Sequence, residues 1–320
     1  MIYALHRRLL LGSVFLLSLM SNSTAQTFPT GPVKIITQQA AGGGTDPAMR
    51  VVADQLSKLW HQQAVVVNQP GAGGAIAARA AASAIPDGHT LYMAIASTFI
   101  ALPEIQTNLP FDVADFIPIG FVGEVPITIT VAQSLPANSL SELVALSHAQ
   151  QAGLTVAIPN RGGIPHLTAE LFRSRAGANM TYVFYPGSAQ ALSDVISGRV
   201  PVLFEGLGGP VNGPQLKILA IGASARLPSR SNLATISETF PGFAAAGWTM
   251  LVAPAGTPDW VVSKIRDDLY TVLGQPEVKQ KFEDFSISIR PMSSEQMRAF
   301  IASERQLWKP VVKQIGLAAQ

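Results

Sequence analysis

The 320-residue chain contains no cysteine, which excludes disulfides, thiolate metal sites and a cysteine nucleophile while remaining compatible with an oxidising compartment. Rigidity has to come from packing. Net charge is nearly absent too: 22 Lys and Arg face 20 Asp and Glu, and leaving out residues 1–25, which hold two arginines and no acid, makes it 20 against 20. A neutral surface gives no electrostatic attraction to nucleic acid or anionic lipid. No apolar run reaches the roughly 20 residues of a membrane span. No second histidine stands at zinc-ligand spacing from His166, and there is neither a Gly-x-Ser-x-Gly elbow nor a serine–base pair that spacing supports. The sequence therefore predicts no metal, no cofactor and no catalytic residue.

What is present begins with an address. His6, Arg7 and Arg8 form a basic start, Leu9 to Met20 is apolar, and Ser23-Thr24-Ala25 has the small-x-small pattern of a signal-peptidase site. Residues 1–25 read as a signal peptide cleaved after Ala25. Arg7-Arg8 lacks the Ser and Lys that flank a twin-arginine signal, which favours the general secretory route and a soluble, periplasmic protein. About 295 residues then remain, more than one core usually supports, and 48% of the chain is hydrophobic, so two domains are expected.

The most informative stretch runs from Val33 to Pro47. A short apolar strand leads through Gly42, Gly43 and Gly44 to Asp46, a candidate N-cap, and to Pro47 at the first helical position. Residues 41–44 lack bulky side chains, so a ligand can approach backbone N–H groups at the positive end of a helix, which suits an anion. The same residues also describe a plain strand-to-helix turn. Neither nucleotide pattern fits: Gly-Lys-Ser/Thr is missing, and Asp46 and Pro47 arrive too soon for Gly-x-Gly-x-x-Gly. A carboxylate suits the cradle better than a nucleotide.

Hydrophobic periodicity predicts helix 46–60, strand 64–67, a second glycine turn at 70–74, helix 75–84 and strand 90–95, with Ala96-Ser97-Thr98 as a loop. Three parallel strands with ligand loops at their carboxyl ends are expected. Ile117–Ala132 is a long extended segment and a candidate hinge. Beyond it the architecture repeats: Ser139 and Glu142 offer a capping box for a helix to about 150, Leu154–Ile158 is a strand, and Asn160-Arg161-Gly162-Gly163-Ile164-Pro165-His166 forms a second cradle entering helix 166–176. Strand 180–185, helix 188–197 and strands 200–204 and 216–221 complete the unit. Gly247–Pro254 is a second crossing, followed by helices from Thr257-Pro258 to 273 and 276–284, strand 286–289, and a last helix opened by Ser293 and Gln296 that should pack on the first domain.

At the level of motifs, the chain resembles the extracytoplasmic receptors of tripartite tricarboxylate transporters, the Bug-type solute-binding proteins, over nearly its whole length. The matching residues are Ala40-Ala41-Gly42-Gly43 with Thr45-Asp46, Pro70-Gly71-Ala72-Gly73-Gly74, Pro86-Asp87-Gly88-His89-Thr90-Leu91, His166-Leu167 with Glu170-Leu171-Phe172, Tyr185 with Gly187-Ser188-Ala189, and Trp248 with Ala253–Pro258. The resemblance implies a two-lobed α/β periplasmic-binding-protein fold, a type II-like Venus flytrap with two hinge crossings. Lobe 1 would comprise 26–125 and 248–320, and lobe 2 would comprise 126–247. It implies ligand contacts from the first lobe by Gln39, Ala41, Gly43, Gly44, Thr45 and Asp46, with Ser97 and Thr98. From the second lobe it implies Ile158, Asn160, Arg161, Gly162 and Gly163, with Tyr185, Gly187, Ser188 and Glu205.

The sequence departs from the family pattern at Gln38-Gln39, where proline and an aromatic are usual. Ile158 stands for a small or hydroxyl residue, Arg161 for a small polar one, Pro186 for a frequent lysine and Glu205 for a frequent aspartate. Arg161 is either solvated or a bidentate partner for a ligand carboxylate. Asp46 reads first as a helix cap and only second as a site residue, His166 as a cap or packing residue ahead of a ligand contact, and Trp248 as core or hinge packing ahead of a ligand wall. The expected function is that of a monomeric receptor, not an enzyme, which captures a small carboxylate (an organic acid, an acidic amino acid or an aromatic acid) and delivers it to the membrane permease of a tripartite transporter. A receptor reporting to a sensor protein is one alternative. An exported hydrolase using Ser97 or Ser188 is another, and the missing elbow and base argue against it.

Overall fold

The computed structural model describes residues 27–316. The predicted signal peptide and its cleavage point after Ala25 lie outside the described residues. Among those described, no helix is long and apolar enough to cross a membrane.

Strand and helix alternate as the apolar pattern does. β1 (Val33–Thr37) buries Val33, Ile35 and Ile36, and α1 (Asp46–Trp60) turns Met49, Val52, Ala53 and Leu56 inward at helical spacing. β2 (Ala64–Asn68), α2 (Ala75–Ala82) and β3 (Thr90–Ile95) follow. The three strands pair in parallel in the order β2-β1-β3. The predicted loop at 96–98 is instead helical: Ser97–Ala101 forms a π-helical turn that runs into the single-turn α3 (Leu102–Ile105).

β4 (Phe116–Ala132) is the long extended segment. After it come α4 (Leu140–Ala149), β5 (Leu154–Pro159), α5 (Ile164–Ala176), β6 (Met180–Tyr185), α6 (Ser188–Ile196), β7 (Val202–Gly206) and β8 (Leu216–Ile221). β9 (Ala246–Pro254), α7 (Asp259–Gly274), α8 (Pro276–Asp284) and α9 (Ser294–Gln314) close the chain.

The pairing of β4 decides the architecture. From Phe116 to Pro126 it lies antiparallel to β9, and from Ile127 onward it lies between β7 and β8. Pro118 and Pro126 have no N–H to donate; the first sits at a register shift and the second is the last residue paired with β9. β3 is antiparallel to β9, β9 to β4 and β4 to β7, so β3 and β7 point in opposite senses. Ile95 at the end of β3 stands beside Thr249, and Gly206 at the end of β7 beside Ile127. Both parallel sets therefore end at the same crossing, where Glu124, Val125 and Pro126 pair with Trp248, Gly247 and Ala246.

Helices cover both faces. α1, α7 and α8 pack with Val33, Ile35, Leu91 and Met93 in one core. α2 and α9 share another with Ile36 and Tyr92, which continues through Phe121 and Trp248 to Leu167 and Phe172 of α5. α9 thus touches α5 as well as β4 and the π turn, which differs from its expected confinement to the first domain. The segment 286–289 is not a strand but a single bridge from Ser288 to Glu124. Ser286, at φ 58°, donates its N–H to Glu283 O and belongs to the end of α8. Ser139 accepts from Glu142 N–H as predicted, but the Glu142 carboxylate reaches back to Asn138 N–H instead of closing a box. The Ser293–Gln296 box is complete.

Gly123 marks how tightly that segment lies on β4. A Cβ there would sit 2.5 Å from Ile287 Cγ2 and 3.0 Å from the Ser288 carbonyl oxygen. Gly123→Ala should cost about 1–3 kcal/mol through forced displacement of the 286–288 backbone, read as a lower midpoint in urea unfolding with an unchanged slope.

Candidate functional site

Two loops meet the crossing, and they are built on one plan. In the first, Gly43 N–H donates to Ala40 O at 3.0 Å and Gly42 N–H to Asp46 Oδ2 at 2.8 Å. In the second, Gly163 N–H donates to Asn160 O at 3.0 Å and Gly162 N–H to His166 Nδ1 at 3.1 Å. Gly42 and Gly162 have φ of 77° and 83°, a region open to glycine and strained for other residues. Each loop follows the central strand of its parallel set, with Ile36 beside Tyr92 in one and Val156 beside Val202 in the other. The side chain that locks each loop lies in the first turn of the next helix.

Asp46 is not the side-chain cap expected. Thr45 occupies the N-cap position of α1 and makes no side-chain capping bond. Asp46 is fully buried; its Oδ2 accepts from Gly42 N–H and from Arg50 Nε at 2.9 Å, and its Oδ1 from Asn68 Nδ2 at 2.8 Å. Asn68 Nδ2 also donates to Gln39 O, and Arg50 Nη2 to Asn68 Oδ1 at 2.7 Å. Burial pushes the Asp46 carboxyl up, but the bonds from Gly42, Asn68 and Arg50 together outweigh it and hold the group below its ordinary value. Asp46 braces the loop. The signal for this was in the sequence, since Asp46 and Arg50 stand at i,i+4 on one helix face.

His166 braces the second loop as a neutral imidazole. Nδ1 accepts from Gly162, which puts the proton on Nε2, 4.0 Å from Glu170 Oε1, while Phe184 and Tyr182 meet the ring edge-on at 4.9 and 5.6 Å between centroids. Glu170 is itself paired with Arg173 at 2.7 Å. Burial above all, then the charges of Arg161 and Arg173, push the His166 pKa down to about 4.

The free donors are fewer than the glycine count suggested. The amides of Gly43, Gly162 and Gly163 are tied up within the loops, whereas those of Ala41, Gly44, Thr45 and Arg161 have no acceptor among the described residues. Gly44, at φ 52°, lies under Gln39: a Cβ would fall within 2.8–3.0 Å of the Gln39 carboxamide. Thr98 is fully buried, and its hydroxyl is committed to Gln38 Oε1 and, at 3.3 Å, to Gly73 O. Gln38, which sequence reasoning left out of the site, also accepts from Tyr92 OH at 2.5 Å and so joins β1, β3 and the second glycine turn. A side chain at Gly74, φ 104°, would collide with Gln38 and Thr98. Ser97 is half-buried at the start of the π turn.

On the second side Ile158 is wholly buried and Asn160 is exposed at φ 61°, a left-handed conformation that Asn tolerates. The Arg161 guanidinium carbon lies 5.3 Å from the centroid of Phe184, a cation–π contact, and forms no ion pair among the described residues. Tyr185 donates its hydroxyl to Asp194 Oδ2 at 2.8 Å, and its pKa is pushed up to about 12 by burial first and then by Asp194. Gly187 and Ser188 open α6 with free space where a Gly187 side chain would go. Glu205 Oε1 accepts from Gly206 N–H at 2.8 Å, while Oε2 is buried without a hydrogen-bond partner. Burial raises the Glu205 pKa, offset in part by the nearby Ser188 hydroxyl and then by the Gly206 amide. Trp248 is core: it packs edge-on to Phe99 and Phe300 and donates Nε1–H to Glu304 Oε2 at 3.1 Å. Among the described residues no three His, Cys, Asp or Glu are grouped to hold a metal.

A two-lobed α/β protein with matched cradles at a double crossing belongs to the class of periplasmic solute-binding receptors. Residues 48–317 match the tripartite tricarboxylate transporter family receptor, and the chain belongs to that family. It is 31% identical to "Protein BugT" of Bordetella pertussis over 299 residues, covering 92% of each chain. Its fold superimposes on that of the Rhodopseudomonas palustris protein Rpa4515 with adipate at a TM-score of 0.83, 29% identity, 92% of this chain and 100% of that one. The corresponding values for MatC of the same organism with bound malate are 0.78, 27%, 89% and 100%. These are receptors, not enzymes.

The His166 lock has a pH signature. With a folded pKa near 4 against the ordinary 6.5, the unfolded chain binds this proton first as pH falls, so the stability it contributes is complete above about pH 6.5 and is lost toward pH 4. Between pH 7 and pH 5 the parent should lose about 2 kcal/mol more than His166→Gln, measured by urea unfolding at the two pH values. Equal pH dependence in both would show that His166 is not the buried neutral group.

Proposed function

We propose that this protein is exported to the periplasm, where it captures a small carboxylate between two lobes and hands it to the permease subunits of a tripartite transporter. The observation that carries the reading is the opposed pair of cradles at the β4–β9 crossing, each with unpaired backbone N–H groups on glycine-rich turns. Such groups suit a carboxylate, with no metal or cofactor needed. Adipate on one structural neighbour and malate on another support the ligand class. In this reading residues 26–125 and 248–320 form one lobe and 126–247 the other, the protein acts as a monomer, and Ala41, Gly44, Thr45, Ser97, Arg161 and Ser188 supply the contacts. The lobes close about the two crossings, with α9 sliding on α5.

A thermal-shift screen of dicarboxylates, tricarboxylates, amino acids and aromatic acids tests the class, because a ligand at 100 times its Kd stabilises by roughly 2.7 kcal/mol. Gly44→Val, which must displace Gln39 and adopt a disfavoured φ, should reduce affinity at least tenfold with the fold intact. Small-angle scattering should show a smaller radius of gyration with the ligand found. Unchanged affinity in the variant would remove the backbone cradle, and an unchanged radius would remove closure. Co-purification with the cognate membrane subunits tests delivery.

A further inference from the structure

Glu205 is the next-to-last residue of β7 at the crossing, opposite Thr128 and one residue past the point where β4 changes partners. Its neighbour Phe204 packs on Phe172 of α5, so strand alternation sends Glu205 to the other face, the side covered by α6, whose first residue is Ser188. Register also places it near the mouth of the second cradle, two residues beyond the Ala157–Leu203 pair of β5 and β7.

The surroundings of this carboxylate are incomplete. Oε1 has one bond, from Gly206 N–H; Oε2 has none, though it is buried. The groups that act on it are the Ser188 hydroxyl and the Gly206 amide, and no basic side chain is among them. A buried carboxylate is ordinarily bonded at both oxygens and paired with a cation. The free amides of the cradle and of the first turn of α6 favour an anionic group on the ligand, and that anion would lie beside Glu205. Two carboxylates at close range repel unless a positive charge stands between them. The missing element is a cationic hydrogen-bond donor, and no described residue supplies one.

We propose that Glu205 receives a protonated amine of the ligand, so that the site prefers carboxylates bearing an ammonium group, the amino acids, over the same acids without it. This rests on the carboxylate-receptor reading given above. The ligand carboxylate bonds the backbone amides, its ammonium donates to Glu205 Oε2, and the charges alternate through the closed site.

Calorimetric titration at pH 7 with matched pairs tests it: succinate against aspartate, adipate against 2-aminoadipate, and 3-phenylpropanoate against phenylalanine, with malate as a neutral donor on the succinate frame. In the pair that binds, the amino form should be at least tenfold tighter, and malate should fall between succinate and aspartate. Glu205→Gln, which keeps the shape and removes the charge, should reduce that preference at least tenfold and leave the plain acid unchanged or tighter; equal melting temperatures without ligand confirm the fold. Equal affinity within a pair, or a preference retained in Glu205→Gln, overturns the proposal. So does proton uptake on binding a plain dicarboxylate, seen as a buffer-dependent enthalpy, since it would place a proton on Glu205. Binding of plain acids without preference removes only this inference. Failure of every acid to bind removes the receptor reading as well.

Discussion

The antiparallel contact between β4 and β9 is the constraint from which the rest of this structure follows. Two parallel sets could be joined in many ways, but β9, which closes the first set, lies against β4, which runs on to pair with β7 and β8, and this fixes the relative sense of every strand on either side. Because β3 and β7 run oppositely through that contact, the loops that follow both parallel sets meet at one place. The aromatic cluster of Phe99, Phe121, Trp248 and Phe300 fills the space beside it, with Arg290 stacked on Phe121 and Phe300 and paired with Glu124. The crossing is thus a packed core as well as the place where the two parallel sets meet.

The matched loops show how one backbone solution takes different chemistry. Each turn needs an acceptor for the amide of its first glycine, Gly42 or Gly162, and a side chain in the first turn of the following helix provides it. Asp46 does so as an anion stabilised by Arg50 and Asn68, and His166 does so as a neutral ring enclosed by Tyr182 and Phe184. These side chains fix the course of each loop and so which of its amides stay unpaired. Beneath the first loop both Asp46 oxygens and the Asn68 carboxamide are bonded, and a satisfied network rigidifies what a partial one would loosen.

Much of the site was legible as residue type but not as role. Glycine at 42–44 and 162–163 announced close backbone approach, yet which N–H groups stay free depends on hydrogen bonds that only folding closes. Thr98 was a plausible ligand donor until Gln38, brought over from β1, occupied its hydroxyl. Arg161 was a candidate for a carboxylate partner and lies on Phe184, a contact made across the β5–β6 pair, which local sequence does not encode.

By itself the sequence determined the order and extent of nearly all elements, the parallel character of both strand sets, the two crossings and the family, because periodicity, glycine punctuation and motif spacing are local properties of the chain. It placed a strand at 286–289, where a left-handed Ser286 closes α8 instead, since short apolar runs have no period to distinguish them. It also gave α9 its apolar stripe without its partner, and the contact with α5 appears only once the crossing has set the two halves side by side. The convergence of the cradles, the locking of their amides and the unpartnered oxygen of Glu205 were decided by tertiary structure, because each depends on distances between residues far apart in the chain.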